Sequence, residues 1–186
     1  MADVLILTGP PGAGKSTVAQ ALAERYDRVA HIPVDTLHEF ITPTGHVRPW
    51  GDPAAYSRQR SLLVRNACCL TANFLEQRFA VIIDDVVTEQ AHLQLYLDNL
   101  QGLGFPVHFV RLLPELDVCL QRNQERKEGR VSPDRVRKVH SEIRAAGEFA
   151  GKTIDSSELT PYQTADRLQE LTTSGASLVL APAQRS

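Results

Sequence analysis

The 186-residue chain has no run of eighteen consecutive apolar residues, the length a membrane-spanning helix requires, so no span is expected. It carries almost no net charge. The 20 Lys and Arg against 22 Asp and Glu leave a formal −2, which offers no bulk attraction to nucleic acid or anionic lipid, although a local basic patch would not register in it. Cysteine is scarce: Cys68, Cys69 and Cys119 cannot all pair, and neither their spacing nor nearby histidines resemble a metal knot. Small buried or half-buried thiols in a reducing compartment are the expectation. Basic residues are missing from the start, where Met1-Ala2-Asp3 is acidic. Residues 4–7 therefore read as a first strand rather than a secretion signal, and a cytoplasmic location is expected. No repeat or linker divides the sequence, so residues 1–172 are expected to form one domain, followed by a tail over residues 173–186.

Short apolar runs alternate with helix-forming segments. Val4, Leu5, Ile6 and Leu7 end in Thr8-Gly9 and read as a strand buried on both faces. Residues 29–34 and 106–112 are further strands, the first weakened at its end by Pro33. Val81-Ile82-Ile83 is a clear strand running into Asp84-Asp85, and Thr153-Ile154-Asp155 a short last one. Helices are expected over residues 16–25 and, after Asp52 as N-cap and Pro53 in the first turn, over residues 54–78, with room for a kink. Others follow from a Thr88 cap to about Leu100, from Pro114 to Arg126, from Ser132-Pro133 to about Gly147, and from Thr160-Pro161 to Leu171. Residues 35–52 are irregular, with Pro43, Gly45, Pro49 and Gly51 as punctuation. In the tail, Leu178-Val179-Leu180 could dock weakly. The alternation favours a three-layer α/β fold with a mostly parallel sheet of about five strands.

Gly9-Pro10-Pro11-Gly12-Ala13-Gly14-Lys15-Ser16-Thr17 follows the first strand and opens a helix, which meets the Walker A pattern in full. Glycines let the backbone turn sharply and aim successive N–H groups inward, and the helix start adds unpaired donors and its positive dipole end. Gly9, Gly12, Ala13 and Gly14 would cradle the phosphates of a nucleotide. Lys15 would reach the β- and γ-phosphates, Ser16 would offer a hydroxyl to Mg²⁺, and Thr17 would bond an α-phosphate oxygen. Asp84 stands just past an apolar strand, where a Walker B carboxylate holds Mg²⁺, though it could instead cap the next turn. Asp85 is the alternative metal residue, but adjacent strand residues face opposite ways and both are not expected at one ion.

Asp35 follows the second strand, where a carboxylate could accept the proton of an attacking hydroxyl, or cap the turn at residues 36–40. His38, Arg48 and Trp50 punctuate the next stretch, and Arg60 approaches the same region from the long helix. Arg48-Pro49-Trp50 puts a guanidinium beside the only tryptophan, which suits an anionic or ring-bearing acceptor and suits a packed surface residue nearly as well. Arg122, Arg126 and Arg130 recur every four residues, so on a helix Arg122 and Arg126 share a face. They form either a solvent-facing helix laced with Glu125 and Glu128 or a small lid near residues 122–137 that closes over ATP.

These features resemble the small P-loop phosphotransferases of the nucleoside-monophosphate-kinase-like superfamily, in particular chloramphenicol 3-O-phosphotransferase, gluconate kinase and the polynucleotide 5′-kinase domain. Ile32-Pro33-Val34-Asp35 is similar to the strand end that carries that family's general base. Val81-Ile82-Ile83-Asp84-Asp85-Val86 resembles the chloramphenicol enzyme's third strand, and Arg48-Pro49-Trp50 the charged-Pro-Trp step of gluconate kinase. Residues 119–126 resemble the first arm of an arginine-bearing lid, which implies an adenine-side role for Arg122 and a phosphate-side, catalytic role for Arg126. The resemblance implies a P-loop NTPase fold and an ATP- and Mg²⁺-dependent kinase moving the γ-phosphoryl group to a hydroxyl of a small molecule, with Asp35 as base and Lys15 and Arg126 stabilising the transferring group. His38, Arg48, Trp50 and Arg60 would then bind the acceptor, and the protein would act as a monomer or homodimer. The stretch between Arg126 and Val131 is too short for a large adenylate-kinase lid, and no nucleoside-monophosphate signature is evident. A nucleic-acid 5′-hydroxyl kinase and a P-loop ATPase or switch binding a protein partner are the alternatives.

Overall fold

The structure is a computed structural model, and it describes residues 3–42, 44–47 and 51–182. Five parallel strands make the body of the sheet: β1 (Val4–Thr8), β2 (Val29–Pro33), β3 (Ala80–Asp84), β4 (Val107–Leu112) and β5 (Lys152–Ile154), in the order β2-β3-β1-β4-β5. All five residues of β1 and all six of β4 are buried, as in strands covered on both faces, although β4 carries His108 and Arg111 among its apolar residues. Side chains alternate across the sheet. Val4, Ile6, Ile83, Val107 and Phe109 join one core with helices α3 (Pro53–Glu76) and α4 (Gln90–Leu100). Leu5, Leu7, Ile82, Val110 and Leu112 join the other with α1 (Lys15–Ala23) and α7 (Pro161–Thr173). This is the expected three-layer architecture.

Three expected helix starts are present. Asp52 Oδ1 accepts from the Ala54 N–H at 2.9 Å, Ser132 caps α6 (Pro133–Ala146), and Thr160 with Gln163 forms a reciprocal capping box on α7. The 24-residue α3 runs without a break. Other expectations need correction. Val34, expected to end the second strand, and residues 35–39, expected to be irregular, form a short helix, α2 (Val34–Glu39), whose Val34 and Leu37 are buried. Two apolar positions are too few for a legible period. Thr88 does not cap α4; Glu89 occupies that position without a side-chain bond. Thr8 holds Val87 through both of its backbone groups, so the chain stays extended past residue 88. The tail supplies a sixth strand, β6 (Leu178–Leu180), antiparallel to β4. The outer edge of β4 is therefore shared, residues 107–108 pairing with β6 and residues 110–112 with β5. Among the described residues no helix is long and apolar enough to cross a membrane.

Two connections leave β1 and β3 in opposite senses. From β1 the chain passes through α1 to β2, beyond β3, whereas from β3 it passes through α4 to β4, beyond β1. The crevice at the carboxyl ends of β1 and β3 is thus a topological switch point, where open α/β sheets bind ligands.

Candidate nucleotide and phosphoryl-transfer site

Residues 9–14 wrap from β1 into α1 at that crevice. Gly12 and Gly14 take left-handed φ angles of 86° and 89°. A Cβ on Gly12 would lie 2.1 Å from the Cys119 carbonyl oxygen on helix α5 (Leu116–Gln124), so the loop packs backbone to backbone against α5. Gly14 is the N-cap of α1 and makes no side-chain cap, leaving the first-turn N–H groups directed at the crevice. Lys15 spans the loop: Nζ donates to the Gly9 carbonyl at 3.0 Å and stands 4.0 Å from Asp84 Oδ1. Ser16 Oγ donates to Asp84 Oδ2 at 2.6 Å.

Asp84 is buried, which by itself would raise its pKa; the His31 ring, the Lys15 charge and the Ser16 hydroxyl outweigh burial and hold the carboxyl below its ordinary value. A charged carboxylate beside a hydroxyl is the hard-oxygen pair that suits Mg²⁺. Among the described residues no three His, Cys, Asp or Glu side chains group to hold a metal on their own. Mg²⁺ takes one or two protein oxygens and completes its shell with water and phosphate. Ser16 and Asp84 are accordingly the residues that could hold it.

Beside the loop lies a cavity of about 310 Å³, lined by Gly12, Ala13, Thr17, Arg122, Arg126 and Leu159 among others, a size that accepts a nucleoside. Arg122 Nη2 donates to the carbonyls of Ser156 and Ser157 at 3.1 and 3.3 Å, tying α5 to the turn after β5. Both candidate lid arginines reach this cavity, but not from a shared helix face. Helix α5 ends at Gln124, and Arg126 lies in the connecting loop with Nη1 3.4 Å from the Gly129 carbonyl. Asn123 explains the early stop. Its buried amide donates to the Val131 carbonyl at 2.9 Å and accepts from the Val131 N–H at 3.2 Å, folding residues 124–131 back on themselves. Arg130 turns the other way, donating to the carbonyls of Gln124 and Arg126 at the end of α5.

Asp85 turns to the opposite face from Asp84, as strand geometry requires. Its carboxylate accepts from Arg60 Nη2 at 2.9 and 3.0 Å, from Tyr96 Oη at 2.7 Å and from the Val86 N–H at 2.7 Å. His92 Nε2 stands 2.9 Å from the same Arg60 nitrogen. Burial would raise the Asp85 pKa, but the Arg60 charge, His92 and Tyr96 hold it far below the carboxylate range. Arg60 is thus engaged in a buried ion pair on the α3 side of the crevice. Asp35 sits in the first turn of α2, exposed, with Pro33 rather than Asp35 at the N-cap. Pro33 aligns with Asp84, and Asp84 with Leu7. Asp35 therefore lies two residues beyond the row formed by the ends of β2, β3 and β1, on the side of the crevice away from the cavity. His38, one helical turn on, packs edge-to-face against His46 with ring centroids 4.1 Å apart. Arg48 and Trp50 lie outside the described residues.

A family model described as an AAA domain matches residues 4–150. The chain belongs to this AAA domain family. A search of curated proteins finds no match. Among solved structures, the chain is similar to the Deinococcus radiodurans tunicamycin resistance protein (21% identity, TM-score 0.64), covering 98% of this chain and 99% of that one. It is similar to a sugar kinase from Janibacter sp. HTCC2649 (16% identity, TM-score 0.71), covering 93% of this chain and 95% of that one. It is likewise similar to a gluconokinase from Sinorhizobium meliloti 1021 (18% identity, TM-score 0.64), covering 94% and 97%. At these identities the likeness is one of fold: a P-loop NTPase architecture shared with small kinases.

Three components of the AAA domain's site are not evident from its sequence. The Arg60–Asp85–Tyr96 cluster joins three distant segments, and its only local signal is a second carboxylate after Asp84. Asn123 resembles any polar helix residue until Val131 folds back on it. His31 is the third: its Nε2 is buried, has no hydrogen-bond partner, and lies 3.6 Å from Asp84 Oδ2. The one hint is a polar residue in the otherwise apolar β2.

Proposed function

We propose that this chain is an ATP-dependent phosphotransferase that moves the γ-phosphoryl group to a hydroxyl of a small molecule. The observation that carries this reading is the arrangement at one sheet edge. The nucleoside cavity and phosphate loop lie on one side of the Ser16–Asp84 pair, and an exposed carboxylate, Asp35, lies on the other. A switch needs the first two elements; an acceptor-activating carboxylate is the addition a kinase requires.

In this reading the loop N–H groups and Lys15 bind and orient the β- and γ-phosphates, and Arg122 closes the nucleoside side. Mg²⁺, when bound at Ser16 and Asp84, neutralises charge on the phosphate oxygens. Asp35 accepts the acceptor's hydroxyl proton as its oxygen forms the new bond to phosphorus, the bond to the β-phosphate oxygen breaks, and ADP leaves. Arg126, two residues past the end of a helix that packs against the loop and itself lining the cavity, stabilises the transferring group in this reading. Catalysis by such a site is positioning and electrostatics. The fold likeness to a sugar kinase and a gluconokinase supports a hydroxyl-bearing small acceptor.

The test is transfer from [γ-³²P]ATP to panels of hydroxylated metabolites, antibiotics and 5′-hydroxyl oligonucleotides. Transfer to a small molecule is expected. Asp35→Ala should keep nucleotide affinity and lose about 10²–10⁴-fold in transfer, the usual contribution of a positioned base. Transfer unchanged in that variant would remove Asp35 from the mechanism, and hydrolysis without any acceptor would leave an ATPase or switch.

A further inference from the structure

Three side chains surround the Asp84 carboxylate. Ser16 Oγ bonds Oδ2 at 2.6 Å, Lys15 Nζ stands 4.0 Å from Oδ1, and His31 Nε2 stands 3.6 Å from Oδ2. The first two belong to the Walker A loop. His31 comes from β2 on the far side of β3, on the face that carries Asp84 and α1: its neighbours Ala30 and Ile32 join the other core, and it aligns with Ile82. Its side chain is 23% exposed, but Nε2 itself is buried and has no partner within bonding distance. A buried ring nitrogen without a partner is costly, and native structures seldom leave one so. The carboxylate oxygen 3.6 Å away, Asp84 Oδ2, is ionised and can only accept. Lone-pair repulsion then selects the tautomer with its proton on Nε2. The gap beyond a full hydrogen bond is about half an ångström.

We infer that His31 is a positioning residue for Asp84, donating its Nε2–H to Oδ2 when the site is loaded and so fixing the carboxylate's orientation toward the metal. The inference rests on the metal role proposed above for Ser16 and Asp84. Its physical basis is that of outer-shell partners of metal ligands, which set ligand orientation without touching the ion. The Ser16 hydroxyl alone fixes one oxygen and leaves the carboxylate free to rotate about its Cβ–Cγ bond. A second donor arriving from another strand removes that freedom. Lys15 cannot substitute, since it is bonded to Gly9 and is needed at the phosphates.

The test compares His31→Leu, which keeps the volume and removes the donor, with His31→Gln, which keeps a donor. The fluorescence of N-methylanthraniloyl-ADP is titrated with Mg²⁺ and, separately, in EDTA. His31→Leu should shift the Mg²⁺ midpoint upward about tenfold, the lower end of outer-shell effects, while affinity in EDTA stays within twofold of wild type. His31→Gln should recover most of the shift. Equal midpoints for all three proteins would overturn the inference, as would a loss of equal size in EDTA, which marks a merely structural residue. Failure of the wild-type protein to bind the nucleotide, or to respond to Mg²⁺, would instead overturn the reading of the site itself. Thermal melts of both variants verify that the comparison is between folded proteins.

Discussion

Gly12→Ala probes the seam between the phosphate loop and α5. Two separate costs are readable at this position. The backbone is left-handed, φ 86°, and an alanine there costs about 1–2 kcal/mol. The added Cβ would also lie 2.1 Å from the Cys119 carbonyl oxygen, so loop and helix must separate by about 1 Å. Overpacking of that kind costs about 1–3 kcal/mol. The sum, about 2–5 kcal/mol, is a large part of the 5–15 kcal/mol that typically stabilises a domain. Gly14→Ala is the internal control. It has the same backbone sign, φ 89°, but the nearest atom to its Cβ is the flexible end of Arg122 at 4.0 Å, so only the strain of about 1–2 kcal/mol applies. Urea unfolding of the three proteins reads this difference directly. Because α5 carries Arg122, displacement of the helix should also weaken that residue's bonds to the turn after β5, and N-methylanthraniloyl-ATP should bind more weakly to Gly12→Ala than to Gly14→Ala. Equal destabilisation by the two substitutions would refute the backbone seam.

Other tests address the charges. Lys15→Ala should lose phosphate binding or transfer, measured as nucleotide affinity and as turnover; retention of both would take the loop out of the chemistry. Arg122→Ala should raise KM for ATP through loss of its two carbonyl bonds to the turn, measured under saturating acceptor. Arg60→Met leaves Asp85 buried without its cation and should cost about 3–5 kcal/mol at neutral pH. The sign with pH follows from the depressed Asp85 pKa. Its stabilisation is complete above the unfolded value near 4 and is lost as pH falls toward the folded one. In the variant Tyr96, His92 and the Val86 N–H remain but the Arg60 charge is gone, so burial is less fully offset and the pKa rises; the penalty should shrink as pH drops from 7 to 3.5. Urea midpoints at the two pH values measure it; a constant gap would contradict the buried pair.

What was legible in the sequence was local. The Walker A loop is nine contiguous residues whose conformation is dictated by its own glycines, and Asp84 is found by counting to the end of a buried strand. Asp52, Ser132 and Thr160 mark helix starts because a cap bonds to a backbone group two or three residues away. What was not legible depends on partners far along the chain. The end of α5 at Gln124 follows from Asn123 bonding Val131, and the extended segment before α4 follows from Thr8 gripping Val87 across 79 positions. Arg60 presents in the sequence as an available cation and in the fold as half of a buried pair. The side-chain period indicated that Asp84 and Asp85 would part, but not which partner each would meet.

The divided edge of β4 bears on handling the protein as well as on its shape. An open strand edge is a template on which other chains can add, and β4 is buried along its whole length with four of its six residues apolar, the kind that would recruit them. β5 covers only its last three residues, and the Phe109 N–H is bonded by the carbonyl of Ser177, just before β6. The three-residue β6 therefore serves as a guard strip against self-association. Trimming at residue 173 would spare every group in the crevice and still yield a protein that aggregates on storage.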